Sequence, residues 1–211
     1  AVRIVRTARR RRTGRIPGCP RIASGHPVGG LFYACEMSDT ATTPEVRPSV
    51  RRAVVYPSSQ VRPVPSFLFN APEGWVVDEA PDALVVVRTP VEVDGFWINA
   101  ILSHDRVAAS VDLDTVAKAT WARITNETPS ATVNLERIAR FGDNVVYLRG
   151  VQLDAPQSGR QLAQLHALFF APREAGRKTA DFFQFIVTAP ADKMAELGPG
   201  FIEMIASFRF L

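Results

Sequence analysis

The sequence is poor in the residues from which disulfides, thiolate metal sites and cysteine nucleophiles are made. Its two cysteines, Cys19 and Cys35, both lie within the first 36 residues. The rest of the chain therefore has no disulfide, no cysteine nucleophile and no thiolate metal site. No apolar run approaches the ~20 residues of a membrane-spanning helix. With 46% apolar residues, a body of about 150 residues buries enough surface to be stable without covalent cross-links.

Excess positive charge is also missing from most of the chain. The net charge is +4, but residues 1–36 contain eight Arg and one acid, whereas residues 37–211 contain 17 basic and 20 acidic residues. This distribution predicts no specific nucleic-acid surface on the body. The run Arg9–Arg12 can make weak, salt-dependent contact with an anionic surface, either nucleic acid or lipid.

Residues 1–36 admit three interpretations. The preferred one is an upstream translation with no evolved fold, because Met37 begins a segment with the polar character of an ordinary protein start. The second is a disordered basic arm. The third is a secretion signal in which Ile22–Ala34 is a short apolar region and Cys35 the site of lipid attachment, although Gly and Pro interrupt that region. The first interpretation predicts a cytoplasmic protein, and the third predicts an envelope lipoprotein.

Prolines separate this arm from a strand-rich body. Residues 37–65 contain five prolines, which predicts an extended linker with a short edge strand at Val54–Tyr56. From residue 66 onward, apolar alternation and turn residues predict strands at Phe67–Asn70, Trp75–Val77, Ala83–Thr89, Phe96–Asp105, Thr132–Arg140, Asn144–Leu153, Gln161–Ala171 and Thr179–Thr188. The turn at Glu73-Gly74 predicts that the first two strands form a hairpin. Short links predict that the last strands pair as a meander.

Two segments have helical periodicity instead. Residues 112–126 form an apolar stripe that begins at two acids, Asp112 and Asp114, and consists of Leu113, Val116, Ala117, Trp121 and Ile124. The second helix covers residues 191–206, and Gly198-Pro199-Gly200 is predicted to break or kink it. Its buried stripe consists of Met194, Leu197, Phe201, Met204 and Ile205. Trp121 and Phe201 are predicted to seal the two helices onto the sheet.

Several features together resemble the PsbP-like superfamily. They are Phe-x-Phe-x-x-Pro-x-Gly-Trp at Phe67–Trp75, a first helix opening at Asp112-Leu113-Asp114, a strand meander, and a last helix that runs into Ser207-Phe208-Arg209-Phe210. Over residues 66–211 the chain is most similar to LpqN-type actinobacterial proteins and DcrB-like proteins. The resemblance implies an α+β domain with a central antiparallel sheet of six to seven strands flanked by two helices. Its members are mostly accessory or binding proteins without shared catalytic residues.

Residues that suggest catalysis or metal binding have simpler explanations. Neighbours in a strand face opposite sides, so Ser103-His104-Asp105 cannot form a catalytic triad. His166 is isolated from other ligand types, and Asp112 with Asp114 is better explained by helix capping than by cation binding. No phosphate-binding loop is present. The sequence therefore predicts no catalytic residue, no metal ligand and no cofactor.

Aromatic residues in the last two long strands are the remaining functional signal. Alternation sends Phe183 and Phe185 to one face of the sheet and Phe182 to the other, which predicts one helix on each face. The basic loop formed by Arg173, Arg177 and Lys178 is predicted to be a solvated hairpin tip. The preferred hypothesis is a non-enzymatic binding or accessory protein that uses a sheet face or groove to bind a protein or an apolar ligand. The alternatives are an envelope-associated lipoprotein and an unrecognised hydrolase.

Overall fold

An antiparallel sheet forms the centre of the structure, a computed structural model that describes residues 56–58, 61–155 and 159–211. The strands are β1 (Phe67–Leu68), β2 (Val76–Asp78), β3 (Val85–Arg88), β4 (Asn99–Ala108), β5 (Thr132–Phe141), β6 (Asn144–Asp154), β7 (Gln161–Phe170), β8 (Thr179–Pro190) and β9 (Arg209–Phe210). Seven of them form one sheet in the order β2-β3-β4-β8-β7-β6-β5, and β1 pairs with β9 separately. The predicted α+β architecture and the meander from β5 to β8 are confirmed.

Two helices cover the sheet, α1 (Leu113–Glu127) and α2 (Met194–Ala206), the second preceded by a 3₁₀ turn at Ala191–Lys193. On one face Phe201, Met204 and Ile205 of α2 join the larger core, which includes Phe183 and Phe185. On the other face α1 forms a smaller core, made by Val116, Ala117, Leu168 and Phe182. The predicted division of the aromatic residues between the two faces is confirmed.

The predicted hairpin between Phe67–Asn70 and Trp75–Val77 is wrong. The turn itself forms, since the Trp75 amide donates to the Pro72 carbonyl at 3.2 Å, but β2 pairs with β3. Strand β1 pairs with β9 instead, with Phe67 opposite Phe210. The Phe67 ring stacks on Phe208 at a centroid distance of 5.4 Å. Aromatic packing between distant parts of the chain therefore outweighs the local pairing.

Of the two predicted outcomes at Gly198-Pro199-Gly200, the break does not occur, because α2 continues through Pro199, and the kink stays a prediction. Proline has no amide hydrogen, so the helix loses the bond to the carbonyl of Ala195. Ala195, Pro199 and Gly200 are all exposed, and water can satisfy that carbonyl. The buried side of the helix keeps Phe201, Met204 and Ile205 against the sheet.

The last part of the predicted linker contacts the body. Asp181, 4% exposed, accepts ion pairs from Arg62 at 3.0 Å and from Arg106 at 2.8 Å. The Arg106 guanidinium also donates to the carbonyls of Arg62 and Pro63. Burial alone would raise the pKa of Asp181. Hydrogen bonds from Arg106 and His104 together outweigh burial, so the pKa of Asp181 lies below its ordinary value. The ionised carboxylate thus fixes the chain where it enters the sheet.

The earlier segments lie outside the described residues. These are the arm with Arg9–Arg12 and Cys35, the proposed start at Met37, most of the linker, and Val54 with Val55 of the predicted edge strand. Their boundaries at residues 36 and 65 stay predictions.

A glycine in β6 permits the bulge in its partner strand. The register of β5 against β6 shifts between Val133 and Leu135. A Cβ added at Gly150 would overlap Asn134 Oδ1 and approach the Leu135 Cβ to 3.0 Å. Gly150→Ala is expected to lower the free energy of unfolding by about 1 to 3 kcal/mol, because the edge strand must shift. Urea unfolding measures the loss, and Gly200→Ala, where the added Cβ meets nothing within 4 Å, is the control. Equal losses at both positions would contradict this account.

Candidate functional site

A cleft opens on the α1 face of the sheet, between α1 and strands β5 and β6. Its volume is about 480 Å³. The residues that line it come from both walls and are Asp114, Lys118, Trp121, Ala122, Thr125, Val133, Glu136, Tyr147 and Arg149. We call it the α1–β6 cleft. It combines two aromatic rings with charges of both signs, a composition suited to binding.

Arg149 is the organising residue of the α1–β6 cleft. Its side chain is 3% exposed, whereas that of its partner Glu136 is 47% exposed. Arg149 Nη2 lies 2.6 Å and Nε 2.9 Å from Glu136 Oε1. Nη1 donates to the Ala117 carbonyl of α1 at 2.9 Å, and Nη2 contacts the Tyr147 hydroxyl at 3.1 Å. The guanidinium therefore ties the helix to the sheet and holds the carboxylate at the cleft wall.

The register explains why these side chains meet. Glu136 lies directly opposite Arg149 on β5 and β6. Tyr147 is two residues before Arg149 and shares its face. The Tyr147 hydroxyl donates to Glu136 Oε1. Bonds from Tyr147 and then Arg149 hold the pKa of Glu136 below its ordinary value, while burial and the bond to Glu136 raise the pKa of Tyr147. At neutral pH the site therefore presents a carboxylate and a neutral phenol.

Trp121 lies on the helical side of the α1–β6 cleft and is half-buried, not sealed in a core. The Arg149 guanidinium carbon lies 5.2 Å from its ring centroid and 5.1 Å from that of Tyr147. The aromatic rings thus flank the cation, which fixes the indole without covering it. The prediction that Trp121 seals α1 is wrong, because Val116, Ala117 and Thr120 are the buried residues of the helix.

Behind the α1–β6 cleft lies a buried polar group centred on His166, 2% exposed. Its Nε2 lies 2.9 Å from Gln164 Oε1, and its Nδ1 lies 3.4 Å from Gln184 Nε2. These partners suit a neutral imidazole with the proton on Nε2. Burial, and then the positive charges of Arg149 and Arg123, lower the pKa of His166 to about 3. A neutral ring lets the positive charge of Arg149 be balanced by Glu136 alone.

The suspected triad does not assemble. His104 Nε2 contacts Asp181 Oδ1 at 2.9 Å, and Ser103 Oγ is 3.5 Å from the Gln184 carbonyl on the opposite face. His104 lies opposite Phe183 and His166 opposite Ile186, so the two histidines also face opposite sides of the sheet. Within the described residues no group of three His, Cys, Asp or Glu side chains could hold a metal ion.

The other candidate residues have structural roles. Asp112 caps α1 by accepting from the Thr115 amide at 2.7 Å, as predicted, and Asp114 pairs with Lys118 at 2.6 Å. In the basic loop Arg173 donates to the carbonyls of Ala109 and Val111. Arg177 pairs with Glu174 at 2.8 Å. Arg173 therefore connects the loop to the start of α1, which the prediction of a merely solvated tip did not include.

The sequence interpretation missed the α1–β6 cleft. The one sequence feature that indicates the cleft is Arg149, a single charged residue within the otherwise apolar run Val145–Val151. A charged residue in a buried strand needs a partner, but nothing in the sequence indicates that Glu136 supplies it across the hairpin.

Comparison with known proteins supports the fold and little else. No family model and no curated protein sequence matches the chain. The solved structure of LpqN, involved in cell envelope biogenesis of Mycobacterium tuberculosis, is similar with a TM-score of 0.57 and 13% identity, over 68% of this chain and 82% of LpqN. The solution structure of cyanobacterial PsbP (CyanoP) from Synechocystis sp. PCC 6803 is similar with a TM-score of 0.50 and 15% identity, over 69% of this chain and 86% of CyanoP. The chain has a PsbP-like fold, as the resemblance implied.

Proposed function

We propose that the protein is a non-enzymatic binding protein that holds a segment of a protein partner in the α1–β6 cleft. The observation that carries the proposal is the half-buried Trp121 ring beside the buried Arg149 guanidinium. Aromatic side chains carry much of the binding energy of protein interfaces. Here the buried guanidinium, 5.2 Å from the ring centroid, holds the indole in place before a partner arrives, which lowers the entropy lost on binding.

The shape and chemistry of the α1–β6 cleft favour a polypeptide over an apolar small molecule. Small-molecule sites are mostly apolar and enclose most of the ligand, whereas this cleft is open and lined by both acids and bases. Val133 and Trp121 offer apolar contact, and Glu136 and Lys118 offer polar contact. A peptide, with its mixture of apolar and polar groups, complements such walls.

A photo-cross-linking experiment in the native cell tests the proposal. A benzophenone amino acid replaces Ala122, which is exposed and lines the α1–β6 cleft, or Ala119, which is exposed on α1 outside it. We expect a discrete protein adduct from position 122 and none from position 119. No adduct, or the same adduct at both positions, would contradict the proposal.

Trp121→Ala then gives a quantitative test with the purified partner. We expect the dissociation constant to rise about tenfold or more, as for other interface tryptophans. The free energy of unfolding is expected to fall by less than for a fully buried aromatic residue, because the indole is only partly buried. Isothermal titration calorimetry and urea unfolding of the same sample separate the two effects. Trp97→Ala is the control, since Trp97 contacts Arg88 away from the cleft. Unchanged affinity in Trp121→Ala would contradict a role in binding.

The proposal also includes the cellular location of the protein. No helix within the described ranges is long and apolar enough to cross a membrane. A cytoplasmic protein is the preferred hypothesis, and an envelope-associated lipoprotein is the alternative, raised by Cys35 and supported by the fold shared with LpqN. Mass spectrometry of the native N-terminus separates them: a lipid on Cys35 supports the envelope, and an unmodified start at Met37 supports the cytoplasm.

A further inference from the structure

Among the residues that the structure describes, no strand pairs with the outer edge of β5, so one edge of the seven-stranded sheet is open. It is the last strand in the sheet order, and every residue from Thr132 to Ile138 is exposed. After the bulge near Asn134, the register runs without interruption from Leu135 to Phe141. Ile138 is 67% exposed. A regular edge strand with an apolar side chain is a template for pairing with another strand.

The turn at the end of β5 determines which backbone groups face outward. Gly142 and Asp143 form a two-residue turn with Phe141 opposite Asn144, and Gly142 has φ +56°, as in a type II′ hairpin. Such a hairpin closes on a hydrogen-bonded pair, and pairs of this kind alternate along the ladder. The amide and carbonyl groups of Phe141 and Ala139 therefore point to β6, and those of Glu136, Ile138 and Arg140 point outward.

From this pattern we infer that two copies of the chain associate through antiparallel β5 strands, with Ile138 of each copy opposite Ile138 of the other. A two-fold axis perpendicular to the sheet generates this pairing. The outward-facing groups of Ile138 then bond to each other across the axis. Glu136 lies opposite Arg140 of the second copy, and Arg140 opposite its Glu136.

Charge selects this register from its neighbours. A shift that places Glu136 or Arg137 on the axis brings two like charges directly opposite each other, which is destabilising. A shift that places Arg140 on the axis does the same. A shift that places Ala139 on the axis opposes no like charges, but it sets Arg140 opposite Ile138 and loses both Glu136–Arg140 pairs. With Ile138 on the axis, both Glu136–Arg140 pairs are opposite in sign, Leu135 meets Phe141, and Arg137 faces Ala139. The contacts of Arg149 and Tyr147 all use Glu136 Oε1, which leaves Oε2 to accept from Arg140.

The pairing would also bring together the proposed binding sites. A two-fold axis perpendicular to the sheet keeps both α1 helices on one face, so the two α1–β6 clefts open side by side. Glu136 lines the cleft and belongs to the interface. The association itself does not depend on the binding proposal.

Sedimentation velocity of the full chain over a concentration series tests the inference. We expect a dimer of twice the 23.2 kDa chain mass. Arg140→Glu turns both ion pairs into Glu–Glu pairs, and we expect the dimer dissociation constant to rise about tenfold or more. Arg137→Glu makes the same charge change on the same strand but faces Ala139, and is expected to change the constant less than about threefold.

A disulfide experiment tests the register directly. In a chain with Cys19→Ser and Cys35→Ser, Ile138→Cys is expected to form a disulfide-linked dimer on mild oxidation, because a hydrogen-bonded pair separates the Cα atoms by about 5.5 Å. Arg137→Cys is expected to stay reduced. A monomer at all concentrations would overturn the inference, whether the edge stays open or is covered by another segment or by a peptide. An equal loss of dimer in Arg137→Glu, or a disulfide at position 137, would overturn it too.

Discussion

Acidification from pH 6.5 to pH 4 is expected to lower the free energy of unfolding by about 3 kcal/mol through His166 alone. In the folded protein this imidazole is 2% exposed. Its pKa is lowered from 6.5 to about 3 by burial and by the nearby positive charges of Arg149 and Arg123. In the unfolded chain the ring is free to protonate near its ordinary pKa.

The direction follows from proton binding. Below pH 6.5 the unfolded chain takes up a proton at this position and the folded protein does not, so acid favours unfolding until the pH falls to the folded pKa near 3. The lowered pKa values of Asp181 and Glu136 act in the same direction. Their effect begins only near the ordinary carboxyl pKa values, about 3.8 and 4.5, and the window from pH 6.5 to 5 therefore belongs mainly to His166 among these groups.

Urea unfolding at half-unit pH steps measures this dependence, and His166→Gln is the informative variant. Gln keeps a donor and an acceptor next to Gln164 and Gln184 but does not titrate. The substitution also changes packing, so the readout is the slope of the free energy of unfolding between pH 6.5 and 5 and not its absolute value. We expect the slope to be largely lost. A slope equal to that of the parent protein would show that His166 is not held neutral in the folded state.

The sequence was sufficient for elements whose periodicity and pairing are local. The meander from β5 to β8 follows from apolar alternation and short links, and α1 begins where Asp112 caps it. The wrong hairpin and the unbroken second helix have different physical causes, and both causes lie outside the local sequence. The strand that contains Phe67 does not pair with the next strand, because Phe67 packs on Phe208 near the other end of the chain. The helix continues through Pro199 because water can bind the carbonyl that lacks a backbone partner. Neither effect can be deduced from the residues adjacent in sequence.

The α1–β6 cleft was harder to predict because its parts are distant in sequence and ordinary in kind. Arg149 stands out as a charge in an apolar strand, but Glu136 is one of several acids on polar segments. Only the hairpin register places them opposite each other. Trp121 has the spacing of a core residue and is half-buried, because the helix rests on the smaller Val116 and Ala117 and leaves the indole at the cleft mouth.

On α2, which covers the other face of the sheet, Phe201 is fully buried, unlike Trp121 on α1. Phe201→Ala is therefore expected to lower the free energy of unfolding by about 3 to 5 kcal/mol. Phe201 is 1% exposed and lies within the main core of buried residues. Its ring meets that of Trp75 edge to face at a centroid distance of 6.1 Å. Truncation removes the transfer energy of the ring and leaves a cavity in this core.

A loss of that size is a large part of the ~5 to 15 kcal/mol that stabilises an ordinary domain. Urea unfolding compares Phe201→Ala with Glu203→Ala, an exposed position on the same helix, and so separates the effect of core packing from that of helix propensity. The free energy of unfolding of Glu203→Ala is expected to change little. The loss of unfolding free energy in Trp121→Ala is expected to lie between the other two, since its ring is only partly buried. If Phe201→Ala costs less than about 1 kcal/mol, α2 is not a structural cover of the sheet. It is then a detachable lid, and the face beneath it, with Phe183 and Phe185, becomes the surface on which a partner should be sought.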